Sequence, residues 1–129
     1  MAIFRSIEEI QAWQKARKLV SEIYRMSKNQ EFARDFSFKD QIKRAGYSIM
    51  NNISEGFERD GNKEYGQFLA IAKGSTGEVK SMAYVAMDQN YISKEDFELL
   101  LSYCKEIGAM LFSLMRYLKN TKIKGTKYR

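Results

Sequence analysis

Five polar side chains recur at steps of three and four residues in one stretch of the chain, and their functional groups could together form a polar site. They are Gln41, Arg44, Ser48, Asn52 and Glu55. This spacing places side chains on one face of an α-helix. Such a face could bind a polar ligand, or it could simply be solvated. We favour a third interpretation, a hydrogen-bond network that fixes the register between helices.

The charged members of this face need partners. Arg44 and Glu55 are eleven residues apart, about three helical turns, so they cannot pair with each other within one helix. We therefore expect their partners on another helix. Ser75 and Glu78, in the next helical segment, are the candidates.

The composition excludes several kinds of catalytic site. The sequence has no histidine and a single cysteine, Cys104, so it lacks the residues for Ser-His-Asp or Cys-His catalysis, for a di-iron bundle site and for the usual zinc sites. A carboxylate-only magnesium site using Glu55, Glu64 or Glu78 stays open as an alternative, but no Asp-x-Asp cluster supports it. We predict no catalytic residue, metal or cofactor, so the protein is not expected to be an enzyme.

A ridge of small residues follows at helical spacing, formed by Gly66, Ala70, Gly74, Gly77 and Ser81. Each glycine inside a helix costs about 1 kcal/mol relative to alanine. We expect another helix to approach this ridge closely, and we count Gly74 and Gly77 among the residues of assembly.

The basic residues are unevenly distributed. Residues 116–129 contain no acid and six cations: Arg116, Lys119, Lys122, Lys124, Lys127 and Arg129. The other sixteen basic residues balance the sixteen acidic ones. A basic arm on a neutral body is typical of polyanion binding, so we predict phosphate contacts for these six. The alternative is a solubilising terminus.

Four helices must position these groups, because apolar residues recur with helical periodicity and no alternating strand pattern competes. We expect them near residues 6–28, 37–56, 63–89 and 93–118. Ser6, Ser37, Asn62 and Ser93 are the predicted N-caps, and Gly56 a left-handed C-cap. Short connections favour antiparallel neighbours. The prediction is an all-α, up-down-up-down four-helix bundle over residues 1–118, followed by a basic tail, residues 119–129.

Several aromatic residues do not fit the apolar stripes of these helices. They are Tyr47, Phe57, Tyr84, Tyr103 and Tyr117. Exposed aromatic rings can stack on unpaired bases, but we favour a second packing interface and hence self-association. No run approaches the roughly 18 apolar residues of a membrane span, no secretory signal is apparent, and Cys104 fits a small buried hydrophobe. A cytoplasmic protein is expected.

Three segments resemble a known family, the bacterial 23S rRNA-intervening-sequence proteins. They are IEEIQAWQKAR at 7–17, QIKRAGYSIMNNISEGFER at 41–59 and EYGQFLAIAKGSTGEV at 64–79. The likeness covers about residues 4–119. Matching positions include Trp13, Gln14, Arg44, Ser48, Asn52, Glu55, Gly56, Phe68, Gly74, Ser75 and Glu78. The basic extension after Leu118 lies beyond the shared segments.

The resemblance implies an antiparallel four-helix bundle that forms a homo-oligomer, a pentamer. The bundle is also similar to the accessory variability determinant of diversity-generating retroelements, which implies by analogy a partner of RNA or DNA. Our hypothesis is therefore a non-enzymatic oligomeric bundle that binds structured RNA through backbone charge. The alternative is a protein-interaction scaffold without nucleic-acid binding, and its protein partner is not identified. A hydrolase with a carboxylate-only metal site is a third, less favoured possibility.

Overall fold

The computed structural model describes residues 4–121, and within this range the chain is helical, with no strand. A 3₁₀ turn at Ile7–Glu9 precedes five α-helices. These are α1 (Gln11–Met26), α2 (Gln30–Arg34), α3 (Phe36–Glu58), α4 (Asn62–Asp88) and α5 (Lys94–Asn120). The predicted all-α class is confirmed.

The four long helices pack in a ring, in which α1 and α4 each contact both α3 and α5. Side-chain contacts show the direction of the helices. Lys15 pairs with Glu106 at 3.0 Å and Arg25 with Asp96 at 2.8 Å, so α1 and α5 run in opposite directions. The α3–α4 contacts described below run antiparallel in the same way.

Apolar residues at helical spacing fill the centre of the ring. Leu19, Ile49, Ala72 and Ile107, one from each long helix, are fully buried. Three of the buried residues of α4 are alanines, Ala72, Ala83 and Ala86, and all three are completely covered, which lets the neighbouring helices approach closely there. Cys104 is 4% exposed, so the prediction of a small buried hydrophobe is confirmed.

Several predicted helix ends are wrong by a few residues. Ser6 does not cap α1, because the 3₁₀ turn intervenes and α1 follows Ile10. Between the first two expected helices, residues 30–34 form a further short helix, α2. Asp35 rather than Ser37 caps α3, since its carboxylate accepts a hydrogen bond from the backbone N–H of Phe38 at 3.1 Å. The Ser93 cap of α5 is confirmed by a 3.1 Å bond from the Asp96 N–H.

Gly56 is not a left-handed C-cap. It is buried inside α3, which continues to Glu58, and a Cβ added there would lie 2.9 Å from Cβ of Phe68 and 3.0 Å from Cδ1 of Tyr65. The glycine is required by the close approach of α3 to α4. The positive φ that only glycine adopts readily occurs instead at Gly61 (98°), the residue before α4.

The Phe57 ring also departs from the sequence-based expectation. It is 7% exposed and belongs to the core, where it meets the Tyr65 ring edge-on at a centroid distance of 6.3 Å. Tyr103 and Tyr117 pack partly buried against the core, whereas Tyr47 and Tyr84 are exposed.

Candidate functional site

The polar residues of α3 meet those of α4 in a narrow surface strip, the polar seam, defined by Gln41, Ser48, Asn52, Ser75 and Glu78. The hydroxyl oxygens of Ser48 and Ser75 are 3.0 Å apart, and Gln41 donates from Nε2 to Oε2 of Glu78 at 2.6 Å. Asn52 donates to the backbone oxygen of Ser48 at 2.9 Å and to its hydroxyl at 3.1 Å. The Ser48–Ser75 and Gln41–Glu78 bonds tie α3 to α4 in antiparallel register, and the Asn52 bonds lie within α3.

Arg44 and Glu55 border the polar seam but are not paired across it. Arg44 Nε lies 2.8 Å from Asp40 Oδ2, and Arg59 Nε lies 3.0 Å from Glu55 Oε2. The expectation of partners on another helix is wrong, because a partner of opposite charge four residues away lies one turn along the same helix. The hydrogen bond that Arg44 donates to the Asp40 carboxylate raises the pKa of Arg44 above its usual value. Both pairs are exposed, so each contributes little to stability.

The small-residue ridge lies on the outer side of α4, away from the core. A Cβ added at Gly66, Gly74 or Gly77 would meet nothing within 4 Å, and Ala70 and Ser81 are exposed. No helix of the described chain covers the ridge, so the close approach that we expected is not made within the subunit.

Large apolar side chains flank the ridge. Ile71, Tyr84 and Val85 are 53%, 49% and 43% exposed. Together with Ala70, Gly74, Gly77 and Ser81 they form what we call the α4 outer face. A helix that is apolar both towards the core and away from it is typical of a buried helix, yet this side of α4 is open in the single subunit.

The basic residues at the end of α5 are accessible. Arg116 and Lys119 are exposed on its last turns, and the Arg116 guanidinium carbon lies 5.8 Å from the centre of the Phe112 ring. The helix ends at Asn120, so Lys119 is part of it. Lys122, Lys124, Lys127 and Arg129 lie outside the described residues.

Sequence reasoning singled out Tyr47 but not the group of aromatic and basic residues to which it belongs, between α1 and α3. We call Tyr24, Phe36, Lys39, Lys43 and Tyr47 the aromatic–lysine stripe. Lys43 Nζ lies 4.2 Å from the centre of the Tyr24 ring, and Lys39 Nζ lies 5.0 Å from that of Phe36. The signal was present in the sequence, since the four α3 residues recur at steps of three, four and four.

The described residues do not converge on a recognisable catalytic arrangement. Among residues 4–121, no three His, Cys, Asp or Glu residues are grouped so that they could hold a metal ion. Burial raises the pKa of the Cys104 thiol to about 11, although Lys80 acts in the opposite direction, so the thiol is protonated at neutral pH. A groove of about 610 Å³ between the start of α1 and the end of α5 is mainly apolar, lined by Phe4, Ile10, Met110, Leu114 and Tyr117 among others.

No helix in residues 4–121 combines the length and the apolar character needed to cross a membrane.

The chain was compared with known proteins. The family model of the 23S rRNA-intervening sequence protein matches residues 8–113. The fold is similar to that of a crystal structure from Bacteroides thetaiotaomicron VPI-5482, a protein of unknown function from the S23 ribosomal protein family, with a TM-score of 0.74 and 24% identity over 81% of this chain and 98% of that one. No curated protein sequence matches the chain. The chain therefore belongs to the 23S rRNA-intervening sequence protein family.

Proposed function

We propose that this protein is a non-enzymatic homo-oligomer that binds RNA, or another nucleic acid, through the phosphate backbone. The observation that carries the proposal is the segregation of charge: all of the net charge of +6 resides in residues 116–129. Neutralising phosphates releases condensed counterions, which gives sequence-independent affinity. The family name, which refers to a sequence within 23S rRNA genes, makes RNA the first polyanion to test.

The α4 outer face supports the oligomeric part of the proposal. Its small residues would let a helix of a second copy approach closely, and burying Ile71, Tyr84 and Val85 would offset the cost of ordering the contact. A pentamer, as the family resemblance implies, would present five copies of the basic tail. Several weak phosphate contacts would then act together through a high effective concentration.

Fluorescence anisotropy with labelled RNA across a salt series tests nucleic-acid binding. The full-length chain is compared with residues 1–121, which keep α5 whole and retain the bond from Asn62 Nδ2 to the Leu118 carbonyl at 3.2 Å. Losing four cations should make the slope of log K against log salt shallower by up to about 3. Steep, tail-dependent binding is the expected result.

A matched control removes the same charge elsewhere on the body, with four exposed lysines neutralised. These substitutions are Lys18→Gln, Lys63→Gln, Lys94→Gln and Lys105→Gln. This variant should keep most of the wild-type slope, because the proposed phosphate contacts are made by the tail and not by these four lysines. An affinity that does not respond to salt would contradict the proposal.

The α4 outer face also favours a second candidate, a scaffold that recruits a partner protein while the tail only solubilises. The same titration separates the two functions. If neither the full-length chain nor residues 1–121 bind RNA, the scaffold becomes the better proposal.

A further inference from the structure

We propose that the aromatic–lysine stripe binds single-stranded RNA by stacking its unpaired bases. The inference rests on the nucleic-acid binding proposed above, and it adds a second contact surface with a different preference. The basic tail recognises phosphates, which single and double strands share. An aromatic surface can distinguish them, because only unpaired bases offer free ring faces.

The stripe is continuous along one side of α3. Phe36, Lys39, Lys43 and Tyr47 lie on one helical face, and Tyr24 reaches it from α1, because Lys43 Nζ lies 4.2 Å from the centre of its ring. Phe36 is 73% exposed, and Tyr24 and Tyr47 are 42% and 37% exposed. Each of the three side chains thus exposes more than a third of its surface, and the ammonium groups of Lys39 and Lys43 lie over the Phe36 and Tyr24 rings.

The charge of the stripe suits a polyanion. Lys39 donates from Nζ to the carbonyl oxygen of Ala33 at 3.1 Å, so its ammonium is fixed at the end of α2. Lys43 lies one turn further along α3. Of the neighbouring acids, Asp40 already pairs with Arg44 at 2.8 Å, and Asp35 accepts hydrogen bonds from the Tyr91 hydroxyl and the Phe38 N–H.

The dimensions of the stripe suit a short run of nucleotides. From Phe36 to Tyr47 the helix rises about 16 Å, which is close to the length of five stacked nucleotides at about 3.4 Å each. A base that stacks on an aromatic ring contributes a several-fold gain in affinity, and every base has a ring face to offer. The expected ligand is therefore any flexible single strand, and not a particular sequence.

The test measures anisotropy of the full-length protein with a 12-nucleotide oligouridine and with an RNA duplex of the same length at one salt concentration. A ring-less variant carries Tyr24→Leu, Phe36→Leu and Tyr47→Leu. A ring-retaining variant carries Tyr24→Phe, Phe36→Tyr and Tyr47→Phe. The Kd of the ring-less variant for oligouridine should rise at least about fivefold for each base that loses its stacking partner. Its duplex affinity should change much less, and the ring-retaining variant should bind oligouridine like the wild type.

A second readout locates the contact directly. Photo-cross-linking of a 5-iodouridine oligonucleotide, followed by mass spectrometry of the peptides, should place the cross-links at Tyr24, Phe36 or Tyr47. Both variants should fold, because the three substituted side chains are exposed. Circular dichroism checks that they do.

Three outcomes would overturn the inference, and they differ in whether the proposed nucleic-acid binding by the tail is also contradicted. If the ring-less variant binds oligouridine with wild-type affinity, the stripe is not an RNA-binding surface, and the proposal of tail-dependent binding is unaffected. A ring-less variant that sediments as a smaller species makes the stripe a contact between copies of the chain. If the wild-type protein binds neither oligouridine nor the duplex, the proposed nucleic-acid binding is contradicted as well.

Discussion

Gly56 determines how closely α3 can approach α4. It faces Tyr65 and Phe68, and the backbone oxygen of Tyr65 would lie only 3.2 Å from an added Cβ. A backbone atom cannot swing aside as the end of a flexible side chain can. The residue is therefore required by packing, even though its own backbone conformation is ordinary and helical.

We predict that Gly56→Ala destabilises the fold by about 1–3 kcal/mol, because the added methyl group overpacks the contact between the helices. Gly108→Ala is the matched control, since a Cβ there meets nothing within 4 Å. It should stabilise the fold by up to about 1 kcal/mol through helix propensity. Chemical denaturation of both variants measures the difference, and equal effects would refute the packing argument.

The Asp35 carboxylate joins two distant parts of the chain. It accepts a hydrogen bond from Oη of Tyr91 at 2.6 Å and caps α3 through the Phe38 N–H. These two bonds, the one from Tyr91 first, lower the pKa of Asp35 below its ordinary value. The same bond raises the pKa of Tyr91.

We predict that Tyr91→Phe lowers the melting temperature at neutral pH but has a smaller effect in acid. A carboxylate whose pKa is lower in the folded state stabilises the fold above its unfolded pKa of about 3.9 and loses that effect as the pH falls through its folded pKa. The difference in melting temperature should be complete at pH 6 and shrink below about pH 4. Tyr84→Phe, at an exposed ring, is the control, and a difference that does not vary with pH would contradict the prediction.

At the level of the elements, the polar seam sets the register between α3 and α4. Its central contact is the hydroxyl pair of Ser48 and Ser75, and Asn52 holds the Ser48 hydroxyl from within α3. Because the contact is partly shielded from water, losing the Ser48 hydroxyl removes the partner of the Ser75 hydroxyl, whereas losing the Ser75 hydroxyl leaves Ser48 with its bond from Asn52.

A double-mutant cycle with Ser48→Ala and Ser75→Ala measures this contact. We expect a coupling of about 0.5–1.5 kcal/mol, the usual net contribution of one hydrogen bond. Pairing Ser48→Ala with Ser102→Ala, on the exposed side of α5, should give additive effects within about 0.5 kcal/mol. Additivity in both cycles would show that the polar seam does not couple the two helices.

The long helices were predictable because their apolar periodicity runs over many turns. Their ends were less so: Asp35 and Ser37 both suit an N-cap, and Asp35 is also held by Tyr91, which is 56 residues away. The prediction of a partner for Arg44 on another helix is wrong because Asp40, one turn away on the same helix, already pairs with it. The stripe was missed because Tyr24 belongs to α1, and only the tertiary fold brings it beside Lys43.

At the scale of the whole molecule, the α4 outer face is the surface through which we expect copies of the chain to assemble. Its ridge is smooth where glycines lack side chains, and Ile71, Tyr84 and Val85 stand beside it. A bulky residue on the ridge would keep a second helix at a distance without disturbing the subunit, because the surrounding space is open.

We predict that Gly74→Leu or Gly77→Leu reduces the oligomer to smaller species while the helical content is kept. Sedimentation velocity and circular dichroism measure the two properties. Lys105→Leu, on the exposed side of α5, adds the same side chain elsewhere and should leave the oligomer intact. An unchanged sedimentation profile for the glycine variants would rule out assembly through the α4 outer face.

The burial of Cys104 makes its thiol a probe of local opening of the bundle. The thiol is covered by the core and protonated at neutral pH, so an alkylating reagent should reach it chiefly when α5 separates from its neighbours. With one cysteine in the chain, each labelled molecule would record one such event. The rate of labelling would therefore report how often the bundle opens, and a slower rate in the assembled protein would show that assembly restrains that opening.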